Sequence, residues 1–255
     1  MIDGRKQRIS DAFGAAADSY DDHGGPQRFA ARLVADLAQR QHPQGRPRIL
    51  EIGCGTGFLT REAPLRWPGA KLIVTDLSPR MVERAAAGGL VAATFLAMDG
   101  EHPAFAGPWF DLIVSNLAFQ WFDDLPAALH RTVGLLAPGG SLIFSTMGAD
   151  SFLKWRSAHE TCGLRPGVPE YPSLDALRAM LSPFADAFAF DESVTLEGRG
   201  ARALLAHLKG IGAVAPQEGR RPLSPGDLRR VMAAYDAAGG QDAYHLLFAR
   251  ITRPT

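Results

Sequence analysis

The sequence predicts an α/β fold, a mostly parallel sheet with helices on both faces, and three observations carry that prediction. Between Arg48 and Met147, strand-like and helix-like segments alternate. A glycine-rich turn, GCGTG, separates the first strand from the helix after it. The chain has 255 residues of which 46% are hydrophobic, enough for one large packed core.

Taken in order, a polar, partly charged leader precedes a helix from Pro26 to about Gln41, where Phe29, Leu33, Val34 and Leu37 recur at helical spacing. The loop HPQGRP ends that helix. RILEI is the first strand, the glycine turn leads into a helix reaching about Trp67, and KLIVTD is the second strand. A helix from Arg80 to Ala87 and the strand TFLAM follow, then the strand FDLIVSN, a helix from about Leu125 to Leu136, the loop APGG and the strand SLIFSTM. Helical crossovers between these strands imply parallel pairing. Beyond Met147 the pattern gives helices in SFLKWRSAHE, near Leu174 to Leu181, around Ala201 to Ile211 and from Ser224 to Ala238. One strand is expected within FAFDESVTL and a last one in AYHLLFARI. The chain reads as one domain over 1–255, with an N-terminal lid and helix (1–47), a ligand-binding half (48–147), and a half that completes the sheet and carries inserted helices (148–255).

Twenty-seven Lys and Arg balance 27 Asp and Glu, so net charge attracts neither nucleic acid nor an anionic membrane. Cys54 and Cys162 are too few for a disulfide framework and form no CxxC or Cys/His cluster, so no metal site is expected and a cytoplasmic location suits the composition. The N-terminus lacks an apolar segment behind its basic residues, and no apolar run approaches the roughly 18 residues of a membrane span, so neither secretion nor insertion is expected.

Gly53, Gly55 and Gly57 alternate directly after the first strand, where missing Cβ atoms let the backbone turn tightly and approach a ligand. In a GxGxxG dinucleotide pattern the third glycine would stand at 58, which is Phe58, so a dinucleotide is disfavoured. Glu51, just before the turn, is a poor neighbour for a pyrophosphate and suits a cationic or hydroxyl-bearing ligand. Asp76 ends the second strand, where a carboxylate can accept bonds from both ribose hydroxyls. Asp99, after the third, can accept from an exocyclic adenine amine, with Met98 and Leu77 flanking the ring. A nucleoside without phosphates fits this set, while a solvated loop or a helix cap is the plainer role of either acid.

ExGxGxG after the first strand, an acid after the second, Asp99 after the third and SNLAFQW after the fourth together resemble the class I S-adenosylmethionine-dependent methyltransferases over about Arg48 to Met147. The resemblance implies their Rossmann-like fold, a seven-stranded sheet with an antiparallel last strand, and S-adenosyl-L-methionine as cofactor. It implies that Glu51, Gly53, Gly55 and Gly57 border the methionine part, that Asp76 takes the ribose, and that Asp99 with Met98 and Leu77 takes the adenine. Asn116 and Leu117 would then line the methyl-transfer side.

The flanks extend the match. RISDAFGAAADSYDDH, SNLAFQWFDD, LKGIGA, EGRRPLS and AYHLLFARI, at their mutual spacing, look like the malonyl-acyl-carrier-protein O-methyltransferases of biotin synthesis. That family methylates the free carboxylate of a malonyl thioester on acyl carrier protein, with malonyl-coenzyme A as the alternative acceptor. Related activities keep two alternatives open: a protein-arginine hydroxylase that acts as an assembly factor, and a small-molecule, quinone-type methyltransferase. A malonyl carboxylate has a pKa near that of Asp, about 4, and is ionised at neutral pH, so the favoured reaction needs no general base.

By the resemblance, Tyr20 lies over the methyl donor, where its hydroxyl can orient a carboxylate without neutralising it. Phe13 is expected to be a packing anchor of the same lid. Asn116 and Gln120 are the other candidates on the methyl-transfer side, and Trp121 fits either substrate contact or core packing. Strand alternation turns one of Tyr244 and His245 inward; Tyr244 is the candidate catalytic residue, and His245 reads as a structural histidine. Lys209 fits a substrate contact or a solvated surface lysine. Because the family's carrier is acidic, two basic clusters are candidate docking faces: Arg5, Lys6 and Arg8, and Arg220, Arg221, Arg229 and Arg230. The choice between monomer and weak dimer is open.

Overall fold

The computed structural model describes residues 4–42, 45–89, 93–213 and 223–255. Helices α1 (Gly4–Ala16), α2 (Tyr20–His23) and α3 (Gly25–Gln41) precede strand β1 (Arg48–Ile52). A 3-10 turn (Thr60–Glu62) and α4 (Ala63–Arg66) lead to β2 (Lys71–Asp76), α5 (Pro79–Ala86), β3 (Ala93–Ala97) and β4 (Phe110–Asn116). Then come a second 3-10 turn (Phe119–Trp121), α6 (Leu125–Gly134), β5 (Leu136–Met147), α7 (Leu153–Thr161), α8 (Leu174–Leu181), β6 (Asp186–Thr195), α9 (Ala201–Gly210), α10 (Pro225–Ala237) and β7 (Ala243–Thr252).

The seven strands form one sheet in the order β3-β2-β1-β4-β5-β7-β6. The first five pair in parallel, and β7 runs antiparallel to both β5 and β6. Alternation along each strand builds a core on either face. Ile49, Leu72, Val74, Leu112 and Val114 pack with α3, α9 and α10, whereas Leu50, Ile52, Ile113 and Leu142 pack with α6 and α8. The sheet reverses direction of winding at β1 and β4, whose carboxyl ends open a crevice, the usual ligand position in such sheets.

Three elements differ from the sequence expectation. The leader is helical: α1 buries Lys6, Ile9, Ser10 and Gly14. That stripe has helical spacing but only one large apolar residue, so it carries no amphipathic signal. The expected helix after the glycine turn is a 3-10 turn and a four-residue helix, broken up where Pro64 lacks an N–H. The loop APGG lies inside β5, which meets Phe110 at Leu136 and shifts register before Leu112 pairs with Ser141.

Candidate active site

The glycine turn is held from below. Gly53 and Cys54 donate their N–H groups to the Thr75 carbonyl at 2.8 and 2.9 Å. Gly53 has φ +73°, and a Cβ there would stand 2.3 Å from that of Ala118, so no other residue fits. Gly55 donates to Asp76 Oδ2 at 2.8 Å, and Ser78 donates its backbone N–H to Oδ1 at 2.8 Å. Asp76 thus ties the turn to the end of β2 while each oxygen keeps a further lone pair. A Cβ at Gly55 would meet nothing nearer than the Tyr20 ring at 4.0 Å, leaving the backbone open to a ligand.

A cavity lies above the turn. Of the residues expected to bind the cofactor, Gly53, Gly55, Asp76, Leu77, Met98, Asp99, Asn116 and Leu117 line it, and so does Tyr20. Gly57 does not; it packs against Thr60 and Ala85. Glu51 is buried outside the lining, and its Oε1 has no hydrogen-bond partner among the described residues. Burial pushes its carboxyl up to about 8, against hydrogen bonds with Thr60. Held below the turn, outside the lining and protonated at neutral pH, Glu51 does not itself face the cavity as a charge.

Asp99 is engaged from an unexpected direction. Lys6 on α1 is 5% exposed and donates through Nζ to Asp99 Oδ2 at 2.6 Å, with Glu101 Oε2 at 2.7 Å. Burial is the largest single influence and would raise the Asp99 carboxyl, but the bonds from Lys6, His102 and the Glu101 N–H, with the Lys6 charge, together outweigh it and hold the group below its ordinary value. Asp99, Glu101 and His102 converge closely enough to resemble a cation site, and the Lys6 ammonium takes that place. Lys6 therefore belongs to the wall of the cavity, a correction to its expected place on a docking face. Arg5 turns the same way, donating to the Trp121 carbonyl at 3.0 Å and pairing with Asp123.

A second, larger cavity adjoins the first. Ile9, Phe13, Tyr20, Leu117 and Trp121 line both and form the partition between them. Phe13 and Trp121 meet edge to face at 5.2 Å, so each is both packing and wall. The Tyr20 hydroxyl is pushed above the ordinary phenol range, by burial first and then by Asp76 and Asp21, and stays protonated. Leu117 has φ +51°, a left-handed conformation that costs a non-glycine residue about 1–2 kcal/mol. Its N–H donates to Ser145 at 3.1 Å, which holds that conformation at the junction.

Gln120 and Tyr244 line the second cavity. Gln120 donates to the Leu117 carbonyl at 2.7 Å. Asn116 uses both ends of its amide, Nδ2 donating to the Gln27 carbonyl and Oδ1 accepting from Ser145, each at 2.9 Å. Alternation sends Tyr244 to this cavity and His245 to the opposite face, where His245 Nε2 lies 3.0 Å from Asp191 and its other ring nitrogen accepts from Asp150 N–H at 3.2 Å. A Cβ on Gly148 would strike the His245 ring at 2.4 Å, so that ring is a packed structural group. Lys209 is exposed and lines neither cavity. Arg229 and Arg230 are exposed on α10, Arg230 paired with Asp227, and Arg220 and Arg221 lie outside the described residues.

His207, on α9, carried no sequence signal for the site. Its Nε2 lies 2.9 Å from the Tyr244 hydroxyl, a pairing across 37 positions. Burial, aided by His23, lowers the ring to about 4, so it is neutral at physiological pH. Between pH 6.5 and 4 the unfolded chain takes up a proton there that the folded chain refuses, so stability falls as pH drops through that window and levels below it. We expect about 2 kcal/mol after allowance for solvent at a partly exposed ring. Urea unfolding at pH 7 and pH 5 should show a shallower loss in His207→Asn; an unchanged loss would place the titration elsewhere.

A protein-family model described as a methyltransferase domain matches residues 23–184, more than half of the chain. The biotin biosynthesis bifunctional protein BioCD of Bordetella avium is 40% identical over 246 residues, covering 96% of this chain and 52% of that protein, so the chain spans about half of it. A malonyl-(acyl-carrier protein) O-methyltransferase of Magnetococcus marinus is 36% identical over 256 residues, 98% of this chain and 93% of that protein. Among solved structures, Haemonchus contortus phosphoethanolamine N-methyltransferase 2, in complex with phosphomonomethylethanolamine and S-adenosylhomocysteine, has the same fold. It superposes with a TM-score of 0.57 at 19% identity, over 88% of this chain and 53% of that one.

Proposed function

Because the chain belongs to the malonyl-(acyl-carrier protein) O-methyltransferase family, we propose that its two adjoining cavities transfer a methyl group from S-adenosylmethionine to the free carboxylate of a malonyl thioester on acyl carrier protein, an early step of biotin synthesis. The observation that carries the reading is the common partition. A cavity lined by Asp76, Met98 and Asp99 meets a larger and mostly apolar one across Tyr20 and Leu117. The relatives favour it over the arginine-hydroxylase and quinone-type alternatives.

S-adenosylmethionine supplies, when bound, a sulfonium methyl group open to attack by a weak nucleophile. The donor set fits it. Asp76 would hold the ribose hydroxyls, Leu77, Met98 and Asp99 would border the adenine, and the backbone at Gly53 and Gly55 would accept close approach. The malonyl carboxylate oxygen forms the new O–CH3 bond as the S–CH3 bond breaks and its electron pair stays on sulfur; no proton moves, so the site needs no base. Its own residues position and exclude water. Tyr20 is a neutral donor between the cavities, able to orient the carboxylate without forming an ion pair that would blunt it. Asn116, fixed at both ends, and Gln120, bound to Leu117, keep the partition in place. Tyr244 has its hydroxyl engaged by His207, which makes it a positioning group of the acceptor cavity.

The whole chain acts as one catalytic unit in this reading, in the cytoplasm, in keeping with two free thiols at Cys54 and Cys162. Among the described residues no helix is long and apolar enough to cross a membrane. Of the two basic clusters, the late one is favoured for docking an acidic carrier: Arg229 is exposed one residue from Leu228 of the acceptor cavity, whereas Lys6 is buried at the cofactor.

Mass spectrometry of malonyl-acyl carrier protein incubated with enzyme and S-adenosylmethionine should show a gain of one methyl, reversed by mild ester hydrolysis. A parallel reaction with malonyl-coenzyme A measures the preference for the carrier. No gain on either acceptor, with cofactor demonstrably bound, would overturn the reading.

A further inference from the structure

The wall of the acceptor cavity contains a polar group that no protein partner satisfies. Gln27, on α3, is 4% exposed and lines this cavity, and its Oε1 is buried without a hydrogen-bond partner among the described residues. A buried acceptor left without a donor is destabilising, so such a group in a ligand cavity marks where a donor belongs.

The Gln27 amide comes within hydrogen-bonding reach of the Tyr244 hydroxyl, with Tyr20 and Tyr171 close by, yet its Oε1 keeps no partner among the described residues. The Tyr244 hydroxyl also meets His207, whose Nε2 lies 2.9 Å away. The backbone of Gln27 is fixed as well, since its carbonyl accepts from Asn116 at 2.9 Å.

The malonyl thioester cannot be the missing donor. Its ionised carboxylate and its thioester carbonyl only accept hydrogen bonds at neutral pH. The donors nearest the sulfur on a pantetheine arm are its secondary amide N–H groups, the first on a nitrogen two carbons from sulfur. The apolar lining from Leu205, Leu208 and Leu228 suits the hydrocarbon stretches of such an arm. Resting on the methyl-transfer reading above, we propose that Gln27 Oε1 accepts a hydrogen bond from an amide N–H of the pantetheine arm, so that the enzyme recognises the arm as well as the malonyl group.

The test compares two truncated acceptors that differ in one donor: malonyl-N-acetylcysteamine, which has the amide, and the malonyl thioester of 2-mercaptoethyl acetate, in which an ester oxygen replaces the N–H. Wild-type enzyme should favour the amide by about tenfold in kcat/KM. Gln27→Met, of similar length without the acceptor, should bring the ratio close to one. Because each ratio is measured on one preparation, a partly unfolded variant does not distort it, and a purely structural role for Gln27 would lower both rates and leave the ratio intact. Equal rates on the two acceptors with wild type, or an undiminished ratio in Gln27→Met, would overturn the subsite. Malonyl-acyl carrier protein serves in the same assay: methylation there with a ratio of one rejects the subsite alone, and its absence rejects both the subsite and the methyl-transfer reading.

Discussion

Replacing Asp76 with alanine is expected to weaken S-adenosylmethionine binding by two orders of magnitude or more. The carboxylate is already the partner of two backbone groups, Gly55 N–H and Ser78 N–H, each at 2.8 Å. Truncation would remove the acceptor of the ribose hydroxyls and leave both amides without a partner. Hydrogen bonds to a charged group contribute about 1.5–3 kcal/mol each, so loss of two ribose contacts alone spans roughly a hundredfold to ten-thousandfold. Asp76→Asn should fall between, since an amide keeps one acceptor but turns an NH2 toward a backbone donor. Isothermal titration of the two variants reads this directly, with thermal unfolding as the check on the fold. An unchanged dissociation constant in Asp76→Ala would rule out the ribose assignment.

Tyr20→Phe should act on the other quantity, lowering kcat about 10- to 100-fold while cofactor affinity stays within a few-fold of wild type. The ring remains, so the contact with Phe58 and the partition between the cavities survive. What disappears is one neutral donor able to bond to an ionised carboxylate, an interaction of about 1.5–3 kcal/mol. Single-turnover rates with malonyl-acyl carrier protein separate this from slow product release, and equal rates would remove Tyr20 from the mechanism.

The parts legible in the sequence were those whose cause is local. Apolar runs bounded by glycine and proline gave the strands, the glycine turn located the crevice, and period-two alternation put Tyr244 and His245 on opposite faces without saying which faced the cavity. The leader helix was not legible, because its inward stripe uses Lys6, Ser10 and Gly14 where a core helix would use leucine or valine. Nor were the pairings that refine the site. Lys6 meets Asp99 across 93 positions and His207 meets Tyr244 across 37, and no spacing rule joins residues that only the closed sheet brings together. Lys6 misled for the same reason: charge counted along a chain says nothing about which side of a helix faces an acid.

Three of the five partition residues, Ile9, Phe13 and Tyr20, come from the first two helices, and Leu117 and Trp121 come from the body beneath. A displacement of those helices therefore uncovers both compartments together. A substitution at Ile9, Phe13 or Tyr20 is felt on both sides of the partition at once, so its effects on cofactor and acceptor binding are expected to be coupled and not additive.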